Sequence, residues 1–300
     1  MMTLIGIEPH AAMFIQPERI VPSAWTGHVP FAAWLTAMTR PNVLVELGAY
    51  TGMSYAAFCQ TVQAQQLPTK CYAVDTWQGD AHCGWYEEDV YQDLAGFNER
   101  RFAGFSQLMR TSFDEAASSF TEGSVDLLHI DGLHTYEAVR NDFETWLPKL
   151  SARATVLFHD TAVRANGFGV WRYWGEISRA YPHFEFDHSS GLGVLQVGKD
   201  IPTGLRQLLE LGQDVEGLRR IKEVFSALGD AVVRRHVNDE RLLEQQRAAA
   251  SFELQARALA AVNQTLLQRL AESEAAVQRL VGSLSWRVTR PLRAVRGMFN

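Results

Sequence analysis

The residues best suited to chemistry sit at the ends of two apolar runs. Asp131 follows Val125–Ile130 (VDLLHI) directly, and Asp160 comes two residues after Ala154–Phe158 (ATVLF). If these runs are neighbouring strands, about 4.8 Å apart, both carboxylates reach one point. Two oxygens there, with positions left open for water and substrate, suit Mg²⁺ or a similar hard divalent cation. His134 lies three residues past Asp131, in Asp-Gly-Leu-His, at the mouth of such a site. An imidazole with a near-neutral pKa can take the proton of an attacking hydroxyl. The plainer alternative stays open: the carboxylates hold helix N-termini and waters, and His134 orders its loop. His129, inside the apolar run, reads as structural.

A second group lies upstream. The run Glu46-Leu47-Gly48-Ala49-Tyr50-Thr51-Gly52-Met53-Ser54 follows Val43–Leu47 (VLVEL). Gly48 permits a tight turn and a close approach of backbone to a ligand. The helix read over Ser54–Gln66 begins with free N–H groups that can receive a carboxylate. Asp75 ends the next short run, Cys71–Val74, and an acid there can accept both hydroxyls of a ribose. A two-glycine turn alone is a weak signal, and Asp75 could merely cap a turn. A dinucleotide site of the usual kind would show G-x-G-x-x-G, which is missing here.

These residues need a frame that brings strand ends together. Short apolar runs alternate with helical patterns, including one over Tyr136–Leu147, and Phe184–Phe186 with Gly193–Val197 can close the sheet as a hairpin. That alternation predicts an α/β fold, a mainly parallel sheet with helices on both faces. Ligands of such sheets bind at the carboxyl ends of the strands. Between Thr76 and Phe105 an insert rich in Trp77, Trp85, Tyr86, Tyr91, Phe97 and Phe102 reads as an acceptor lid or an ordinary helical cover.

With both groups in place, a resemblance becomes specific over about residues 40–200. VELGAYTGMS resembles motif I of class I S-adenosylmethionine-dependent methyltransferases, AVDTW their ribose-binding segment, and MRTSFDEA the segment that flanks the adenine. VDLLHIDGLHTYEAVRNDFETWLPKL followed by VLFHD is similar to the methyltransferase-24 group and related metal-dependent O-methyltransferases, some of which modify sugars. The resemblance implies a Rossmann-like methyltransferase sheet and a cofactor site of Glu46, Gly48, Thr51, Gly52, Ser54, Asp75, Ser112, Phe113 and Asp131. It implies catalysis by His134 and Asp131, and a divalent cation on Asp131, His159 and Asp160. The resembling enzymes often carry an acidic ligand where this chain has His159, a softer donor. The implied reaction is methyl transfer to a saccharide or glycan hydroxyl. A phenol or other small natural product is the alternative acceptor, and a non-catalytic coiled-coil scaffold the alternative role.

Composition and charge divide the chain. Residues 1–200 hold 13 Lys and Arg against 23 Asp and Glu, a net of −10, whereas residues 201–300 hold 15 against 11, a net of +4. So acidic a front half argues against a nucleic-acid partner, since phosphate binding needs clustered positive charge. Cys59, Cys71 and Cys83 form no CxxC pair and read as reduced thiols. With no signal-like start and no long apolar run, a cytoplasmic location is expected.

The expected organisation is a methyltransferase domain over 1–200, a helical connector over 201–241, a coiled coil over 242–284 and a basic amphipathic tail over 285–300. Heptads started at Leu242 place apolar residues at ten of thirteen a and d positions, with Asn263 at an a position. That pattern predicts a long helix and a homo-oligomer. The end SWRVTRPLR is similar to those of bacterial polysaccharide-assembly proteins. Its Arg287, Arg290, Arg293 and Arg296 beside a Val288, Leu292, Val295 and Phe299 stripe predict peripheral contact with an anionic membrane surface.

Overall fold

The computed structural model describes residues 7–80, 82, 84–212, 214–289, 291 and 293. Cys83 and the tail residues Arg290, Leu292, Val295, Arg296 and Phe299 lie outside the described residues.

Nine strands are described: β1 (Val43–Leu47), β2 (Lys70–Asp75), β3 (Gly79–Asp80), β4 (Gly84–Trp85), β5 (Ser106–Arg110), β6 (Val125–Ile130), β7 (Leu150–His159), β8 (His183–Phe186) and β9 (Leu192–Gln196). The helices are α1 (Val29–Thr39), α2 (Met53–Ala64), α3 (Glu88–Phe102), α4 (Phe113–Ala117), α5 (Tyr136–Trp146), α6 (Val170–Ile177), α7 (Thr203–Leu211), α8 (Val215–Gly282) and α9 (Leu284–Val288).

Seven strands form the main sheet in the order β5-β2-β1-β6-β7-β9-β8. β5, β2, β1, β6 and β7 are parallel, while β9 runs antiparallel to both β7 and β8. This is the Rossmann-like, mainly parallel α/β sheet expected from the sequence. The order reverses between β1 and β6, so a crevice opens at their carboxyl ends, where the sheet's ligand site belongs.

Alternation along each strand feeds two cores. Leu44, Leu127 and Leu157 face a cluster built with Phe31 and Trp34 of α1, Phe58 of α2, Leu205 and Leu208 of α7, and Ile221 and Phe225 of α8. Val45, Leu47, Leu128, Val156 and Phe158 face Val139, Phe143 and Trp146 of α5 and Val170 and Tyr173 of α6. A strand covered on both faces reads as a continuous apolar run, which is why β1, β6 and β7 stood out. β5 did not: it is an edge strand, Ser-Gln-Leu-Met-Arg, with no residue fully buried.

Contacts divide the chain after His236 into a compact unit, 1–236, and a second unit, 237–300. The first unit therefore includes the base of α8, whose Ile221, Phe225 and Val232 are buried. In the second unit the seam residues Leu242, Phe252, Leu259, Leu266, Leu270, Val277 and Leu280 are all exposed. No described helix is long and apolar enough to cross a membrane.

Candidate functional site

A cavity of 310 Å³ opens at the crevice, lined by the β1–α2 turn, the ends of β2 and β6, and the start of α4. The turn is fixed from three sides. Gly48 N–H donates to the Val74 carbonyl at 2.9 Å, and Asp131 N–H donates to the Leu47 carbonyl at 2.8 Å, so pairing runs past the strand ends. Gly48 has φ +87°, and a Cβ there would meet the Asp131 carbonyl oxygen at 2.1 Å. Only glycine lets this turn press against the loop that carries Asp131.

Asp75 draws the turn down. Its Oδ2 accepts from the Ala49 and Tyr50 N–H groups, both at 2.9 Å, and its Oδ1 accepts from Trp77 N–H at 2.7 Å. Burial pushes the Asp75 carboxyl up, with these three bonds opposing. Asp75 thus shapes the glycine turn as well as lining the cavity.

Glu46 and Gly52 do not line the cavity. Glu46 is fully buried; its carboxylate accepts from Ser54 Oγ at 2.8 Å and lies 3.0 Å from His129 Nδ1. Trp25 Nε1 donates to His129 Nε2 at 3.2 Å. An indole N–H can only donate, so Nε2 is the acceptor, and the His129 proton sits on Nδ1 facing Glu46. His129 is structural, as its place inside a strand suggests. Ser112 lines the cavity while capping α4, its Oγ accepting from Glu115 N–H at 3.3 Å, and the Phe113 ring lies against Gly132.

The acceptor side gathers Asp131, His134, His159 and Asp160. His134 Nε2 is 2.9 Å from Asp160 Oδ2 and 3.8 Å from Asp131 Oδ1. His159 Nδ1 is 3.1 Å from Asp131 Oδ1 and 3.4 Å from Asp160 Oδ2, and its Nε2 donates to the Ser189 carbonyl at 3.1 Å. Asp160 is aimed inward from a left-handed backbone, φ +60°, strain of the kind that gathers at functional positions. Burial works against a charged His134, but Asp131 and Asp160 outweigh it and hold its pKa at about 9. Burial would raise the Asp131 carboxyl, but the charge of His159 and hydrogen bonds from His134 and His159 hold it far below its usual range.

The donor set fits a divalent cation. Ligand atoms of Asp131 and Asp160 lie within 4.8 Å of each other, His159 Nδ1 faces both carboxylates, and His134 Nε2 borders the same group. Spacings near 3 Å are those of adjacent ligands around a small cation with bonds of about 2.1 Å. Imidazole nitrogens shift preference from Mg²⁺ toward Mn²⁺ or Zn²⁺.

Asp131 and His134 line the cavity directly; Asp160 and His159 stand behind them. The His134 ring lies flat against Phe168, at 4.3 Å and 5°, and the His82 ring lies 5.0 Å from Phe168 and 5.8 Å from His134. Sequence reasoning missed Ser23, Phe168 and the pairing of Tyr50 with Tyr86 across the mouth (4.5 Å between rings). Ser23 sits in a turn whose only local signal is a Ser before a short helix. The lid reading of the insert is supported by Tyr86, Gly79 and Asp80, which line the cavity.

Residues 45–161 match the family model described as a methyltransferase domain. A curated relative from Sinorhizobium fredii, described as uncharacterized protein y4gI, is 47% identical over 227 residues, 76% of this chain and 24% of its own. The chain therefore spans about a quarter of that relative's length. A putative caffeoyl-CoA O-methyltransferase from Staphylococcus aureus is similar with a TM-score of 0.46 and 14% identity, over 59% of this chain and 85% of that one. The O-methyltransferase TomG from Streptomyces achromogenes, solved with S-adenosylmethionine, is similar with a TM-score of 0.45 and 11% identity, over 64% and 92%.

Proposed function

We propose that this chain transfers the methyl group of S-adenosylmethionine to a hydroxyl of a saccharide or glycan. The observation that carries the reading is one cavity with two unlike walls. A glycine turn pinned by Asp75 forms one wall, and the Asp131–His134–Asp160 cluster forms the other. The first suits a ribose and an amino-acid carboxylate. The second suits a hydroxyl that must lose a proton. The acceptor oxygen attacks the sulfonium methyl, the S–CH₃ bond breaks as the O–CH₃ bond forms, and the sulfur keeps the bonding pair as a neutral thioether.

The hydroxyl proton leaves toward His134. Its Nε2 can accept only when Asp131 and Asp160 are balanced by something other than the ring's own proton. A divalent cation held by Asp131, Asp160 and His159 would supply that balance and acidify the hydroxyl. The stacked His82, Phe168 and His134 rings and the Tyr50–Tyr86 pair offer flat faces beside the reacting centre. Sugars pack on such faces; a planar phenol would too, and that is the second reading. The exposed seam on α8 suits self-association through that helix, and the basic tail suits an anionic membrane surface.

Methyl-labelled cofactor offered with panels of saccharides and phenols, with and without chelator, tests the reading. Label on a saccharide hydroxyl, lost with chelator and restored by Mn²⁺ or Mg²⁺, is expected. Label on phenols alone favours the second reading, and label on neither panel contradicts both.

A further inference from the structure

Apart from the cavity, an open groove of 550 Å³ runs along α6, lined by Arg164, Trp171, Arg172, Gly175, Arg179 and Glu185 among others. It begins one ring away from the reacting centre. Arg164 donates to the carbonyl of Thr161, the residue after Asp160, at 2.7 Å, and its guanidinium lies over Trp171. Trp171 Nε1 donates to the Phe168 carbonyl at 2.9 Å, and Phe168 is the ring stacked on His134. Trp171 and Gly175 lie four apart on one face of α6, and Arg179 follows in the 3-10 turn Ser178–Ala180 just past its end.

Gly175 is the informative member. It sits inside an eight-residue helix, where glycine is destabilising relative to alanine. A Cβ there would meet nothing within 4 Å, so no packing in this chain forbids a side chain. What a side chain would take is the space of the groove.

The charge of the groove sets its ligand. In a segment with a net of −10, three arginines face two carboxylates here. Glu176 lies 3.8 Å from Arg172 and accepts from the Tyr136 hydroxyl at 2.7 Å. Among the described residues, Arg164 and Arg179 meet no carboxylate. An indole beside guanidiniums that meet no carboxylate suits a chain with both sugar faces and acidic groups.

We propose that this groove is a subsite for an anionic saccharide chain, the part of the acceptor that continues beyond the reacting hydroxyl; this rests on the glycan reading of the site. Calorimetric titration of the full chain with a hexamer of galacturonate, against a neutral maltohexaose, tests it. The acidic hexamer should bind at least ten-fold more tightly than the neutral one, and less tightly as salt rises. Gly175→Leu and the double change Arg164→Gln/Arg179→Gln should each weaken it ten-fold or more while leaving S-adenosylhomocysteine binding unchanged. Gly175→Leu should melt no lower than the parent, which separates a filled groove from a damaged fold. Absence of hexauronate binding, equal binding of the neutral hexamer, or indifference to Gly175→Leu overturns the proposal. A chain that holds the hexamer in this groove yet methylates no saccharide contradicts the glycan reading alone. Glycan methylation with acceptor affinity untouched by both variants contradicts the groove alone.

Discussion

The crevice of the sheet and the distal half of α8 are opposite solutions to the same accounting. At the crevice Asp75 accepts three backbone N–H bonds, and Glu46 is held by Ser54 and His129. Beyond His236 the large apolar residues are bare, with Phe252 70%, Leu259 63% and Leu280 61% exposed. One region is complete within a single chain. The other leaves its apolar pattern exposed, and the proposed self-association would cover it, since an isolated helix draws little stability from propensity alone.

Changes at the crevice should therefore be costly and changes in the distal helix local. The largest effect is expected for Asp160→Asn. Removing the charge that faces His134 and His159 should cut turnover by roughly 10²–10⁴-fold, while cofactor affinity by calorimetry moves less than three-fold. Turnover within a few-fold of the parent would remove Asp160 from the chemistry.

Asp142→Asn sharpens the comparison from the side of stability. Burial, helped by nearby Asp114, raises the Asp142 carboxyl to about 7, whereas in the unfolded chain it ionises near 3.9. The folded form thus holds this proton more tightly. Its contribution to stability is complete below pH 4 and is lost as pH rises through 7. Asparagine abolishes that loss, so the variant should gain on the parent between pH 4 and pH 8, by about 2 kcal/mol, half of what three pKa units imply. Melting curves across that range check it, and a gap that does not widen with pH would show that Asp142 ionises freely.

Asp75→Ala should weaken cofactor binding ten-fold or more, at least about 1.4 kcal/mol. Since Asp75 also pins the Ala49 and Tyr50 N–H groups, Asp75→Asn should recover only part of the loss. The smallest effect on the site is expected from ending the chain at His236. Light scattering should show a smaller assembly and calorimetry an unchanged cofactor affinity. An assembly that persists in 1–236 would take self-association away from the distal helix.

The sequence was most legible where local pattern and burial coincide. β1 and β6 were placed to the residue, because strands buried on both faces are apolar throughout. β5, polar and at the edge, left no such trace. The cofactor turn was legible because glycine spacing records a backbone requirement, and Gly48 does meet Asp131. Ser23 and Phe168 were not, because they reach the site through tertiary packing over many residues. Composition shifts after Lys199, yet Phe225 and Ile221 still fill the core of the first unit. A cut near Gly204 would strip them, a dependence that average composition does not record.

The central claim is that the crevice holds S-adenosylmethionine beside a proton-accepting cluster. Titrating S-adenosylhomocysteine into the full chain tests it most directly, with the Asp75→Ala chain alongside. The account predicts one site per chain, weakened at least ten-fold by the substitution. Absence of binding to the parent chain, or equal affinity for a folded Asp75→Ala chain, would contradict it.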